Sequence, residues 1–120
     1  MKGKIKIADA ELPIMKVLWE QGELTSPEIF AHLEGNKSTL KTLLQRLVGK
    51  GAVKATEINS RSYRYSPILS RQDYINQERS GFLQKVFDGS TQKMLLNFVK
   101  EEKITRDDLQ KLLDIIEENE

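Results

Sequence analysis

Residues 36–50 constrain the fold of this chain most, because they describe one helix with two chemically different faces. Apolar side chains recur at the spacing of a buried helical face, at Leu40, Leu43, Leu44, Leu47 and Val48. The opposite face carries hydroxyls, an amide and cations but no acid, at Ser38, Thr39, Lys41, Thr42, Gln45 and Arg46. Such groups hydrogen-bond base edges and phosphates, so this helix is a candidate for DNA reading. An ordinary solvated helix has the same periodicity, so the neighbouring segments must decide.

The neighbouring segments predict a winged helix-turn-helix. Candidate N-caps begin three helices in the first half of the chain, at Asp9, at Thr25 or Ser26, and at Asn36 or Ser38. After Gly51 the pattern changes to period two in residues 53–58 and 63–65, with a turn-rich stretch between them that carries Arg61. Three helices followed by a basic-tipped hairpin are typical of proteins that place the third helix in the major groove.

The charge distribution supports a polyanionic partner. The net charge is only +1, but residues 36–66 hold seven Lys and Arg against one acid (Glu57). A concentrated basic segment in a nearly neutral chain is an electrostatic footprint for nucleic acid.

The second half of the chain is predicted to be a helical dimerisation domain. Helices are expected from residue 70, over residues 91–102 with Ser90 as the cap, and from residue 105, where Thr105 and Asp108 form a capping box. Helix 91–102 is apolar on almost every side, so it needs cover that a second copy can supply. The apolar residues assigned to the dimer contact are Phe82, Val86, Leu95, Phe98, Val99, Leu109, Leu112, Leu113 and Ile116. Packing of the tail on the winged unit is the alternative. The predicted domains are residues 1–68 and 69–120.

Composition argues against several other classes. The chain has no cysteine and one histidine, His32, so it offers no thiolate site, no His cluster and no base–nucleophile pair. We therefore expect neither an enzyme nor a metal or other cofactor. No apolar stretch approaches the roughly 18 residues that span a bilayer, and no signal peptide is recognisable, so we expect a cytoplasmic protein without membrane insertion.

Several segments together resemble a known repressor family. Residues 7–19 (IADAELPIMKVLW), residues 39–47, Lys50-Gly51 and residues 61–65 are similar to the penicillinase and methicillin-resistance repressors, a family that also contains copper-responsive members. The resemblance covers nearly the whole chain and implies a dimeric winged-helix repressor of the β-lactam-responsive branch. The paired-cysteine motif of the copper branch is absent, which excludes thiolate copper sensing.

The resemblance in the second half of the chain implies regulation by proteolysis. The stretch from Leu95 to Lys100 is similar to the dimerisation segment of the β-lactam-responsive repressors. In that family, a membrane sensor with a zinc-protease module leads to cleavage of an Asn–Phe bond, and the matching bond here joins Asn97 and Phe98. The resemblance thus implies a sensor-linked protease as a partner, with cleavage untying the dimer.

One departure from the family affects the carry-over of DNA contacts. Members have a longer segment with a Trp and a Pro before the recognition helix, whereas residues 35–38 here are shorter and contain neither. Contacts carry over best at Thr39, Lys41, Thr42 and Arg46.

The sequence thus predicts a dimeric repressor of a palindromic operator. The recognition helix would read bases and phosphates, while Arg61 and Tyr63 would hold the flanking backbone. Two alternatives stay open: a winged-helix regulator released by a small ligand, and a winged-helix protein-interaction module that binds no DNA.

Overall fold

The computed structural model of the protein describes residues 4–101 and 103–118, with side chains described up to residue 115. The chain divides into two compact units, residues 1–76 and residues 77–120. The elements are α1 (Leu12–Gln21), β1 (Leu24–Thr25), α2 (Ser26–Ala31), α3 (Lys37–Gly49), β2 (Val53–Asn59), β3 (Ser62–Pro67), α4 (Arg71–Phe87), α5 (Thr91–Lys100) and α6 (Arg106–Glu118). This order confirms the predicted fold class, mainly helical with a β-hairpin.

The N-cap of α1 lies two residues after the predicted one. The prediction of Asp9 as N-cap is wrong, because Glu11 occupies that position and Asp9 lies in the preceding turn. The Glu11 side chain is buried and accepts a hydrogen bond from the Ala8 N–H at 2.8 Å. The helix ends at Gly22, whose φ of 84° a glycine adopts without strain.

Helices α2 and α3 begin at predicted caps and end earlier than predicted. Thr25, not Ser26, is the N-cap of α2, and its N–H donates to the Glu28 carboxylate at 2.9 Å. Asn36, not Ser38, caps α3. Gly35 and Gly51 were expected to end these two helices, but α2 stops at Ala31 and α3 at Gly49. His32 follows α2 as a turn residue, and Lys50 and Gly51 form the turn after α3.

The predicted hairpin is part of a three-stranded antiparallel sheet in the order β1-β3-β2. Strands β2 and β3 pair from Val53 opposite Pro67 to Asn59 opposite Ser62. Strand β1 adds two pairs on the other side of β3, and one of them joins Leu24 to Tyr65. The two-residue strand β1 was not predicted, because a pair of residues is too short for any period.

The core of the first unit lies among α1, α2, α3 and the sheet. Its fully buried side chains are mainly aliphatic and include Ile14, Met15, Leu18, Ile29, Leu44, Leu47 and Val53. Leu69 completes this core, and the Trp19 indole N–H donates to the Leu69 carbonyl at 2.9 Å. Tyr74 in α4 lies against Trp19, with 5.4 Å between ring centroids. The first turn of α4 therefore belongs to the first unit, and the division falls after Asn76, later than the boundary expected at residues 68–69.

The second unit contains the rest of α4 with α5 and α6. Ser90 caps α5 through its hydroxyl, which accepts from the Lys93 N–H at 3.1 Å. Thr105 and Asp108 form a reciprocal capping box at the start of α6, with distances of 3.0 and 3.1 Å. Both features were predicted. No described side chain after Leu69 is buried, so this unit has no closed core of its own.

Candidate nucleic-acid interface

The exposed face of α3 is divided into two rows of side chains. All six predicted contact residues of this helix are exposed. At 100° per residue, Ser38, Lys41 and Gln45 form one row. The second row, roughly a quarter turn further around the helix, consists of Thr39, Thr42 and Arg46. The opposite face holds the buried leucines, so core packing fixes which rows face outwards.

The start of α3 is held by its own side chains. The Asn36 amide oxygen accepts from the Ser38 N–H at 2.7 Å, and the Thr42 hydroxyl donates to the Ser38 carbonyl at 3.0 Å. Asn36 therefore has a structural role in positioning the first turn. The side chains of Lys41, Gln45 and Arg46 make no hydrogen bond or ion pair within the part of the chain that the structure describes.

The hairpin and α3 face one another across a groove of about 470 Å³, which we call the wing groove. Four predicted contact residues line it, two from α3 and two from the hairpin: Lys41, Gln45, Arg61 and Tyr63. Its other walls are Thr25, Ser26, Pro27, Ser62 and Tyr65. Two cations and no acid line this groove. The structure thus brings together residues that are about 20 positions apart in the sequence.

Tyr65, in the wall of the wing groove, adds no negative charge at neutral pH. Burial raises the pKa of the Tyr65 phenol above its ordinary value, and nearby Tyr63 raises it further. The Tyr65 phenol therefore keeps its proton and can act as a hydrogen-bond donor. Tyr63 is 41% exposed, so one side of its ring is open to a partner.

The beginning of α2 is a part of the groove that sequence reasoning missed. Ser26 and Pro27 line the groove, although only their role in starting a helix was recognised. Nearby, the Thr25 N–H and hydroxyl donate to the Glu28 carboxylate and lower the pKa of Glu28, with a smaller contribution from Arg64. The cap at the start of α2, the helix before the recognition helix, is the signal that could have identified this wall.

One of the seven cations in residues 36–66 does not belong to the basic surface. The Lys50 ammonium is bonded to the buried Glu11 carboxylate and also donates to the Lys6 carbonyl at 2.8 Å. Lys50 thus joins the end of α3 to the segment before α1. Its charge balances a buried carboxylate and is therefore not available to a polyanion.

The predicted cleavage site lies inside α5. Asn97 is exposed and Phe98 is half-buried. Both of their carbonyls accept backbone hydrogen bonds, from the N–H groups of Glu101 at 3.1 Å and Lys103 at 3.0 Å. The bond between Asn97 and Phe98 is therefore fixed in helical geometry.

Of the residues assigned to the dimer contact, Phe98 is half-buried and seven others are exposed in the single chain. The exposed fractions are 46% for Phe82, 52% for Val86, 37% for Leu95, 39% for Val99, 39% for Leu109, 40% for Leu112 and 50% for Leu113. Ile116 lies in α6, but its side chain is outside the described residues. Leu96 and Ile115, which were not assigned, are also open.

Residues 4–101 and 103–118 contain neither a metal-binding cluster nor a membrane-spanning helix. No group of three or more His, Asp or Glu side chains in this part of the chain is arranged to hold a metal ion. None of its helices is long and apolar enough to cross a membrane.

A helix-turn-helix whose recognition helix shares a groove with a β-hairpin defines a winged-helix protein of the DNA-binding type. The chain belongs to the penicillinase repressor family, whose model matches residues 7–118. It is 31% identical to the penicillinase repressor of Bacillus licheniformis, over 99% of this chain and 95% of that protein. It is 25% identical to the methicillin resistance regulatory protein MecI of Staphylococcus aureus, over 92% and 93%.

A solved structure supports the fold of the first half of the chain. The DNA-binding domain of the repressor BlaI is 33% identical, with a TM-score of 0.54 over 62% of this chain and 94% of that domain. The family and this structure confirm that the chain is a transcriptional repressor with a winged-helix DNA-binding domain. The expectation that it is not an enzyme agrees with the family, which is one of repressors.

Proposed function

We propose that the protein represses transcription as a homodimer that binds an inverted-repeat operator through α3 and the hairpin. The observation that carries this proposal is the wing groove, where Lys41 and Gln45 of α3 meet Arg61 and Tyr63 of the hairpin without any acid between them. A duplex whose major groove receives α3 would bring its flanking backbone to the hairpin. A single position of the duplex therefore allows α3 and the hairpin to contact DNA at the same time.

The two rows on α3 have different chemistry and take different roles. Lys41 and Arg46 contact phosphate or guanine, because they are cations with no internal partner among the described residues. Thr39, Thr42, Gln45 and Ser38 contact phosphates or base edges. Arg61 at the hairpin tip and Tyr63 beside it hold the backbone next to the half-site.

The homodimer is proposed to form through the second unit, because this unit has no buried side chain among its described residues. In a single chain, apolar side chains are exposed on each of the helices α4, α5 and α6, for example Phe82, Leu95 and Leu112. Burial of apolar area contributes about 25 cal/mol per Å², so a second copy with the same surface gains by covering it. A dimer also converts the second half-site contact into an intramolecular step.

Relief of repression is proposed to follow cleavage between Asn97 and Phe98 by a sensor-linked protease. The bond lies in α5, so this helix must open locally before a protease can reach an extended backbone. Helix α5 has only 10 residues, too few to be stable without tertiary packing, so it opens once that packing is lost. Cleavage would separate part of α5 and all of α6 from the DNA-binding unit and so weaken operator binding.

The DNA contacts are tested by titrating the full chain into a duplex from its own upstream region at several salt concentrations. We expect two chains per duplex and a preference over random sequence. The slope of log K against log salt should be near −0.9 for each phosphate neutralised. Lys41→Ala and Arg46→Ala should weaken binding, by about 1–3 kcal/mol for a base contact.

Lys16→Ala is the matched control, because Lys16 is an exposed lysine of α1, remote in sequence from α3 and the hairpin. It should bind the operator as the natural chain does. Equal binding by Lys41→Ala, Arg46→Ala and Lys16→Ala would refute the assignment of α3. Absence of any sequence preference would refute an operator and favour a protein-interaction module.

Sedimentation of the full chain tests the homodimer. We expect a dimer at micromolar concentration and a monomer for Leu95→Asp, which places a charge at an open apolar position of α5. Lys93→Asp on the same helix is the control and should remain dimeric, because Lys93 is a polar, exposed position. A monomeric natural chain would contradict the proposal.

Co-expression with a β-lactam-stimulated membrane sensor tests the cleavage. Mass spectrometry should find fragments that end at Asn97 and begin at Phe98. Asn97→Asp and Phe98→Ala change the two sides of the bond separately, and each should slow fragment formation. An intact natural chain in the presence of an active sensor would contradict this part of the proposal.

A further inference from the structure

A second groove opens on the first unit between α2 and α3, and it is chemically unlike the wing groove. Its volume is about 660 Å³, within the range of small-molecule sites. Its walls are mainly apolar and are formed by Pro27, Phe30, Ala31, Leu33 and Leu40, with Gly35 at one end. We call it the helix groove. Phosphates and base edges are polar and do not require apolar walls, so DNA binding does not account for the helix groove.

The edge of the helix groove is cationic. Lys37 and Lys41 line it together with the hydroxyls of Ser26 and Ser38, and no acidic side chain is among its lining residues. Neither lysine has an ion-pair partner in the part of the chain that the structure describes. An apolar floor beside two lysines is complementary to a molecule with an apolar body and one anionic end.

We propose that the helix groove binds a small anionic amphiphile, such as a free carboxylic acid with an aliphatic chain. The chain would lie on Phe30, Leu33 and Leu40, and the carboxylate would meet Lys37 and Lys41. A small carboxylic acid fits better than a protein partner, because the groove is the size of one small ligand and both of its charged residues come from α3, four positions apart.

The helix groove shares Ser26, Pro27 and Lys41 with the wing groove. A carboxylate on Lys41 would therefore compete with DNA for the same ammonium group. Occupancy of the helix groove should lower operator affinity without any change in the fold. This consequence rests on the proposed operator contact of Lys41, whereas the binding of the amphiphile does not.

Decanoate is the probe for binding, used below the concentration at which it forms micelles. The full chain, labelled with ¹⁵N, is titrated with decanoate and followed by amide chemical shifts. We expect saturable shifts at Ala31, Leu33, Lys37 and Ser38. Decanol, which has the same chain without the charge, should bind more weakly.

Two variants separate the helix groove from the open apolar surface of the second unit. Ala31→Trp fills the groove from an exposed position and should abolish the shifts, with circular dichroism as the check of folding. Lys37→Gln should weaken binding by about two- to fivefold, whereas the exposed Lys16→Gln should not. No binding, or shifts confined to residues 82–113, would overturn the proposal.

Operator competition is measured by fluorescence anisotropy of a labelled duplex. Saturating decanoate should weaken operator binding by about fivefold or more, and Ala31→Trp should remove this effect. If decanoate binds the groove while operator affinity stays constant, competition is refuted and the ligand site stands. If the chain binds no duplex even without decanoate, the proposed operator function fails instead.

Discussion

Lys50 offers the sharpest test of how the recognition helix is held. The buried Glu11 carboxylate accepts from the Ala8 N–H at 2.8 Å and from the Lys50 ammonium. Lys50→Met keeps the apolar stem of the side chain but removes the charge and both of its hydrogen bonds. The carboxylate would then stay in the core with one neutral donor.

The expected loss of stability follows from the burial of the two partners. Removing one partner of a fully buried pair costs about 3–5 kcal/mol, and a hydrogen bond to a charged group contributes about 1.5–3 kcal/mol. Glu11 is 1% exposed but Lys50 is 34% exposed, so water can reach the site in the variant. We therefore expect Lys50→Met to reduce the free energy of unfolding by about 2–3 kcal/mol.

Denaturant unfolding followed by Trp19 fluorescence is the assay, since Trp19 reports on the first unit. Lys16→Met is the control for loss of an exposed lysine and should change stability by less than about 0.5 kcal/mol. In a double-mutant cycle, Glu11→Gln with Lys50→Met should cost at least about 1 kcal/mol less than the sum of the single variants. A Lys50→Met variant as stable as Lys16→Met would refute the argument.

Three further predictions concern caps and one indole. Asn36→Ala removes the cap of α3 and should lower the free energy of unfolding by about 1 kcal/mol, measured by chemical denaturation. The Thr25 N–H lowers the pKa of Glu28. The stabilisation by this carboxylate is therefore present above its ordinary pKa and is lost as pH falls through the lowered value. The stability difference between Glu28→Gln and the natural chain should vanish in acid. Trp19→Phe leaves the Leu69 carbonyl without its indole donor and should cost about 1 kcal/mol in thermal unfolding.

The elements that could be predicted are those with local signals. The leucine spacing of α3 predicted its buried face, which is the observed one. Ser90, and Thr105 with Asp108, were identified as caps because the pattern lies within four residues. Such signals depend on the neighbouring backbone alone, so a sequence displays them directly.

The features that were missed depend on residues far apart in the chain. Strand β1 exists because Leu24 pairs with Tyr65, a contact that no local pattern announces. Lys50 was counted among the seven cations of the basic segment, although Glu11 binds it across 39 positions. The wing groove likewise required the fold to bring Arg61 to Lys41. Sequence periodicity predicts which faces are exposed, but tertiary packing decides which exposed groups meet.

The division of α3 into a packed face and an unengaged face has an evolutionary consequence. Exchanges of Lys41, Gln45 or Arg46 remove no hydrogen bond or ion pair within the described chain, so each should alter stability by no more than about 0.5 kcal/mol. A duplicated gene could therefore acquire a new operator preference through single exchanges, without first accumulating stabilising mutations. Lys50, directly after the end of this helix, lacks that freedom because the buried Glu11 depends on it.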